Sequence, residues 1–292
     1  MITVDTKLIA LMGNPLRQSF APRMQNEAYR ALGLPFFYFP LEVGNDHLKE
    51  MVEAFRHLNS PGFAVTKPNK IKVIEHLDGL DAFAEKMGAV NTVVKQDGKL
   101  IGYNTDGPGF IRSLTLETDC DIKASTFFIF GAGGVGRAIC CALAFHGAKE
   151  IVIVDRFDAA SKSLSEDINR RFAPVAGWIS FEEKSQYEKA ISQCHVVLNC
   201  SGVGMYPHAD ETPIDTALLH AGQIAFDATY NPLKTRFLQE AEQAGCRILN
   251  GLGMSIHQGA IQVKLWSGLP EPVAAMTESI NKIVAEIQAS QK

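Results

Sequence analysis

Two lysines flank a proline in "TKPNK", residues 66–70, directly after the apolar run "GFAV". Proline fixes φ, lacks an N–H and suits the first turn of a helix, while the residue before it is pushed towards extended geometry. Lys67 is therefore expected to end a strand and Pro68 to open a helix over 69–77. On that helix Lys70, Val73, Ile74 and Leu77 share one face, so Lys70 heads an apolar stripe while Lys72 points to solvent. A half-buried ammonium beside an acid can move a proton, or hold a substrate hydroxyl for its removal. The acid on offer is Asp106 in "GYNTDGPGF", read as a loop between a strand and a helix. Asn91 in "GAVNT", with Asn104 and Thr105, adds polar groups to neighbouring strand ends, where ligands collect in α/β sheets.

A second group of residues suits a dinucleotide. "TFFIFGAGGVGRAICCALAF" carries Gly131-x-Gly133-x-x-Gly136 between a continuous apolar strand and an apolar-periodic helix. Gly131 allows the tight turn, Gly133 a close backbone approach to a pyrophosphate, and Gly136 close helix–strand packing. Ala132, Gly134 and Val135 complete the turn, and the helix start offers free N–H groups and a positive dipole end. The next strand, "EIVIVD", ends in Asp155, placed to take the ribose hydroxyls of an adenosine and to repel a 2′-phosphate. Arg156 can stack on the adenine or meet a phosphate. The balance favours NAD, with NADP use left open.

These groups must be positioned by short apolar strands alternating with helical patterns, the signature of an α/β fold with mainly parallel sheet. Strands are expected at 7–12, 37–42, 62–66, 89–95 and 99–102, with helices at 22–32, 47–58 and 69–77. The Asp-Gly of "KQDGKL" makes an antiparallel hairpin, so the first sheet is mixed. A second series, at 126–130, 150–155, 196–200, 224–228 and 247–251, has the rhythm of a doubly wound, Rossmann-like domain. Helices at 256–266 and 270–288 are expected to return to the first domain. The chain thus divides into residues 1–110 with 252–292, a substrate domain, and 111–251, a nucleotide-binding domain, with a cleft between them. The 292 residues, 46% apolar and 21% charged with net charge −4, suit an ordinary soluble globular protein and give no electrostatic case for nucleic acid or an anionic membrane. The apolar "LIALMG" is too short for a signal peptide or a membrane span, and six cysteines without metal spacing read as reduced thiols. A cytoplasmic protein without a metal, a monomer or homodimer, is expected.

Taken together, "GNPLRQSFAP", "AVTKPNK", "GAVNT", "GYNTDGPGF", "FGAGGVGRA", "NCSGVGM", "YNPLKT" and "GMSIHQGA" resemble, in order and over nearly the whole chain, the shikimate and quinate dehydrogenases. The resemblance implies an NAD(P)-dependent oxidoreductase of the shikimate pathway of aromatic amino acid biosynthesis, or of quinate metabolism. It implies Lys70 and Asp106 as the catalytic pair, and Ser19, Thr66, Asn91, Tyr230 and Gln258 around a small-molecule substrate. Gly131 to Gly136, Asp155, Arg156, Ser201, Met205, Gly253 and Met254 would hold the cofactor. Two positions depart from the family pattern. Ser19-Phe20-Ala21 replaces a Ser-x-Ser that binds the substrate carboxylate, so shikimate is expected to bind less tightly unless Arg17, Gln18 or another group compensates, and Ala64 replaces an asparagine before Val-Thr. The quinate/shikimate branch also tends to lack that asparagine and to accept NAD, so Ala64 and Asp155 point the same way. Lys70 is read as proton acceptor or as charged orienter. The alternatives are a dehydrogenase of a related polyol acid such as aminoshikimate, and a ligand sensor that has lost turnover.

Overall fold

The computed structural model describes residues 2–17 and 19–290, with backbone alone for 287–290. The chain falls into two units, Met1–Gly109 with Ile256–Lys292, and Phe110–Ser255. Both crossings fall inside helices, the second at 255/256 rather than 251/252, because the last strand runs into a helix without a loop.

The first unit contains β1 (Lys7–Gly13), α1 (Ala21–Ala31), β2 (Phe36–Glu42), α2 (Leu48–His57), β3 (Gly62–Val65), α3 (Asn69–Lys72), β4 (Gly79–Leu80), α4 (Ala82–Met87), β5 (Thr92–Gln96) and β6 (Lys99–Tyr103). Its six-stranded sheet has the order β2-β1-β3-β5-β6-β4 and is mixed as expected: β5 runs antiparallel to β3 and β6. The hairpin tip takes positive φ at both Asp97 (49°) and Gly98 (79°), the geometry that an Asp-Gly turn supplies. One face packs Ala10, Met12, Phe63, Val65 and Val93 against Leu48, Val52 and Phe55 of α2 and Val73.

Two expectations for this unit need correction. The helix over 69–77 is a single α-helical turn, α3, followed by a 3₁₀ turn over Val73–His76. The β-branched Ile71, Val73 and Ile74 disfavour a longer helix. The apolar stripe survives: Val73 is buried, Lys70 and Ile74 are half-buried, and Lys67, Ile71 and Lys72 are exposed. The strand expected at 89–95 begins only at Thr92, because the Val90 N–H is taken by the Lys70 carbonyl and the Ala89 carbonyl by the Asn104 side chain. The two-residue β4 carries too little pattern to be legible.

The second unit contains β7 (Thr126–Phe130), α6 (Gly134–Phe145), β8 (Glu150–Val154), α7 (Asp158–Arg171), β9 (Ala176–Trp178), α8 (Lys184–Gln193), β10 (Val196–Asn199), β11 (Ile224–Asp227), α9 (Arg236–Gln243) and β12 (Arg247–Asn250). All six strands are parallel in the order β12-β11-β10-β7-β8-β9. The direction of winding reverses between β7 and β10, and the carboxyl ends of strands at such a switch point are where doubly wound sheets bind ligands. The core joins Phe128, Phe130, Val154 and Val197 to Phe237, Leu238 and Ala241 of α9. Arg137 of α6 and Arg170 and Arg171 of α7 meet Asp167, and together they hold its carboxyl down to about 2 against the opposing effect of burial. All six cysteines are free thiols; Cys140 and Cys141 belong to the buried side of α6.

α5 (Asp106–Thr118) and α10 (Gly251–Ser267) are the helices within which the chain changes unit, and α11 (Val273–Ser290) packs on α1 in the first. α10 starts directly after β12 rather than at 256, so Gly253 and Met254 lie in its first turn.

Candidate active site

In the first unit the turn after β3 and the turn after β6 bring a lysine and an acid together. Asn69 anchors the first: it is fully buried, and its Nδ2 donates to the Val43 carbonyl at 2.8 Å. Lys70 follows, and its Nζ lies 2.7 Å from Asp106 Oδ2, with side-chain exposures of 32% and 16%. Asp106 is the first residue of α5, not a loop residue; the Asn104 side chain turns the chain into the helix by accepting the Asp106 N–H at 3.1 Å. Partial burial keeps this pair from being screened like a surface ion pair, yet leaves the ammonium reachable.

Asn91 is the hub of the cluster. Its Nδ2 donates to Asp106 Oδ1 at 2.9 Å and to Thr105 Oγ1 at 2.9 Å, and its Oδ1 accepts the Thr105 N–H at 2.9 Å. The amide orientation follows from these partners, since a flip would set an N–H against an N–H and an oxygen against a carboxylate. Gln258 of α10 places its Oε1 3.4 Å from Thr105 Oγ1 and 3.5 Å from Asn91 Nδ2, so its own amide nitrogen is turned away from this pair. Lys70, Asp106, Asn91 and Gln258 therefore form one polar cluster with an ammonium, a carboxylate and amides. Such a set can hold vicinal hydroxyls and exchange a proton with one of them.

Thr66 lies just past β3, with its methyl turned to Gly13. Ser19 stands before α1, where its Oγ accepts the Ala21 N–H at 3.3 Å. Gln18 lies outside the described residues. Ala64 is buried in β3 directly across from Thr92 of β5.

In the second unit the glycine turn has the form its spacing predicts. Gly131 takes φ +109°, and a Cβ on Gly136 would lie 1.9 Å from the Gly131 carbonyl oxygen, so α6 starts in direct contact with the turn. Gly133, Gly134 and Val135 are exposed at the α6 N-terminus, which has no side-chain cap. Its first N–H groups therefore face outward, as a pyrophosphate requires, and a Cβ on Gly133 or Gly134 would meet open space. Asp155 follows β8; its Oδ2 accepts the Ala132 N–H at 2.7 Å and its Oδ1 the Phe157 N–H at 2.9 Å. A carboxylate has about four lone-pair sites, so it can brace the turn and still receive ribose hydroxyls. Arg156 is exposed beside it. The turn thus fits a dinucleotide. Ser201 and Met205 are exposed on the segment after β10, and Tyr230 is half-buried after β11, where burial pushes its phenol up.

A buried acid escaped the sequence reading. Asp227 ends β11 with no exposure; its Oδ2 accepts Thr235 Oγ1–H at 2.7 Å and Asn199 Nδ2–H at 3.0 Å, and its Oδ1 accepts the Thr229 N–H at 2.8 Å. Burial raises its proton affinity above the usual carboxylate range, and these donors oppose that. Asn199 in turn accepts Ser201 Oγ–H at 2.7 Å and donates to the Val203 carbonyl at 2.9 Å. Asp227 therefore ties the Ser201–Val203 and Thr229–Tyr230 segments to the strand ends. The signal was a polar residue closing each of β10, β11 and β12, but only the register Asn199↔Asp227↔Asn250 makes them neighbours. Asp227→Ala strands three donors, each costing roughly 1–3 kcal/mol. A thermal midpoint lowered by several degrees and a weakened cofactor KM are expected; a variant matching the parent in both would contradict the role.

Among the described residues no group of three or more His, Cys, Asp or Glu could hold a metal ion, and no helix is long and apolar enough to cross a membrane. The model of the shikimate dehydrogenase substrate binding domain matches residues 11–93, and that of the shikimate 5'-dehydrogenase C-terminal domain matches 251–280. A shikimate dehydrogenase (NADP(+)) of Alkaliphilus oremlandii is 40% identical over 94% of this chain and 96% of its own length. A quinate/shikimate dehydrogenase of Escherichia coli is 38% identical over 93% and 96%. The solved structure of a Listeria monocytogenes shikimate 5-dehydrogenase in complex with shikimate and NAD superposes with a TM-score of 0.91 at 41% identity, covering 96% of this chain and 98% of that one.

Proposed function

We infer the reaction from one premise: the chain belongs to the shikimate dehydrogenase family. It is an oxidoreductase. The reaction is the reversible oxidation of a ring hydroxyl of shikimate, quinate or both to the ketone, giving 3-dehydroshikimate or 3-dehydroquinate. The observation that carries this reading is the Lys70 Nζ–Asp106 Oδ2 pair at 2.7 Å, with Asn91 donating to the second carboxylate oxygen. A bound nicotinamide supplies the acceptor for the hydride. Lys70 takes the hydroxyl proton when it is the neutral amine, or as the ammonium orients the hydroxyl while the proton leaves to solvent, and Asp106 orients Lys70 and accepts a hydrogen bond from the neighbouring hydroxyl. Asn91 and Gln258 present amide groups to the same ring, with Ser19, Thr66 and Tyr230 as further substrate contacts.

The cofactor would lie on Gly131 to Gly136, with Asp155 at its ribose, Arg156 at its adenine, and Ser201, Met205, Gly253 and Met254 towards the nicotinamide. For the choice of cofactor, the Asp155 carboxylate supports NAD ahead of NADP, since a 2′-phosphate would meet it charge to charge. An Asp155→Ser variant is expected to lower the ratio of kcat/KM for NAD over NADP at least about tenfold, equivalent to about 1.4 kcal/mol. An unchanged ratio would remove Asp155 from cofactor selection.

Shikimate and quinate deuterated at the reacting carbon test the reaction itself. The deuterium, carried as deuteride, should appear on the reduced nicotinamide one for one with ketone formed. Ketone formation without label transfer would exclude hydride transfer.

A further inference from the structure

Behind the Lys70–Asp106 pair a line of four buried side chains runs into the core of the first unit. Gln25 of α1 donates from Nε2 to Gln262 Oε1 at 2.9 Å, and to the Gly259 carbonyl at 3.2 Å. Gln262 of α10 donates from Nε2 to Thr92 Oγ1 at 2.9 Å. Thr92 of β5 donates its hydroxyl to Asn91 Oδ1 at 2.8 Å, and Asn91 donates to Asp106 Oδ1 at 2.9 Å. Gln25 and Thr92 have no exposure, and Asn91 and Gln262 only 3% each.

Two features separate this line from a chance pairing of core polar groups. Every link donates in the same direction, towards the carboxylate, so each bond polarises the next and the charge-assisted bond at the end is the strongest. The Thr92 hydroxyl is also committed: accepting from Gln262, it must give its one proton to Asn91. An apolar side chain at 92 or 262 would fill the same space without the desolvation cost of a buried polar group. The line also joins α1, α10 and β5, three separate elements, at the Asn91 amide that holds Asp106.

We propose that Thr92 and Gln262 are positioning residues for the reaction: they fix the Asn91 amide, and through it the Asp106 carboxylate and the Lys70 ammonium, without touching substrate. This rests on the dehydrogenase reading above. Without the Thr92 hydroxyl the Asn91 oxygen still has the Thr105 N–H but loses its second donor, so the amide can shift and carry the Asp106 carboxylate with it; misplacement of a reacting group by about 1 Å can cost about a hundredfold in rate.

The test uses the full chain with shikimate and quinate, each with NAD and NADP. Thr92→Val keeps the shape and removes the hydroxyl; it should lower kcat about tenfold to a hundredfold while the cofactor KM stays within about twofold. Thr92→Ser, which restores the hydroxyl, should return kcat to within about threefold of the parent, an outcome that general loosening of the core would not give. Gln262→Met should lower kcat about fivefold or more alone, but less than about twofold in the Thr92→Val background, because the line is already broken. The proposal is overturned if Thr92→Val keeps parental kcat, if Thr92→Ser is no better than Thr92→Val, or if the two losses multiply in full. A parent that turns over shikimate beside an equally fast Thr92→Val removes the relay alone. A parent that oxidises neither acid with either cofactor removes the dehydrogenase reading and the relay with it.

Discussion

Replacing Lys70 with alanine is expected to lower kcat by about a thousandfold or more, with the cofactor KM within about threefold of the parent. Positioned proton transfer contributes about 10² to 10⁴ in rate, and here the loss is compounded by what remains. Asp106, held by Asn91 and only 16% exposed, would lose its ion-pair partner opposite the place where a ring hydroxyl must lose a proton. Lys70→Arg should recover little, because a planar guanidinium cannot give up its proton and cannot place one nitrogen where the ammonium sits. The fold should tolerate both changes, since Lys70 lies on a one-turn helix anchored by Asn69, not by its own side chain. Steady-state rates at saturating substrate decide the matter. Near-parental turnover by Lys70→Ala would remove the pair from the chemistry.

Gly136→Ala is expected to disable the second unit rather than tune it. The added methyl would stand 1.9 Å from the Gly131 carbonyl oxygen, a backbone atom with no rotamer to change. Gly131 has little freedom to retreat, for its own φ is +109° and a Cβ on it would meet the Ser201 nitrogen at 2.6 Å. Either α6 moves off the turn, opening the phosphate cradle, or β7 and the segment after β10 separate. Overpacking of this kind costs roughly 1–3 kcal/mol, and more where nothing can shift. A thermal midpoint lowered by ten degrees or so, with cofactor affinity reduced about a hundredfold or more, is expected by scanning calorimetry and titration; each 1.4 kcal/mol is tenfold in affinity. Gly134→Ala is the control. Its methyl would meet open space, so its effect on stability should stay within about 0.5 kcal/mol. Equal midpoints for the two variants would show that the close contact at Gly136 is not what holds the turn.

The glycine turn was legible because each of its constraints is local: strand, turn, helix and acid follow one another between Thr126 and Asp155, about 30 residues, the reach of a βαβ unit. Lys70 and Asp106 were legible as residue types at strand ends, and the family resemblance joined them. The line behind them was not legible. Thr92 and Gln262 are 170 residues apart in sequence, and nothing in "NTVV" or "GAIQVKLW" announces that one amide will meet one hydroxyl. Ala64 shows the same limit from the other side. In the sequence it reads as a missing amide. In the fold it stands across from Thr92 on one sheet face, and there Gln262 brings an amide in from α10. Asp227 stayed hidden because strand-terminal polar residues are common, and register alone shows that it faces Asn199.

The most direct measurement is kcat/KM for shikimate and for quinate, each with NAD and with NADP, on the full chain. Cofactor reduction coupled to oxidation of at least one of the two acids, more efficient with NAD than with NADP, is the predicted result. Binding of either acid with no reduction of either cofactor would contradict the account.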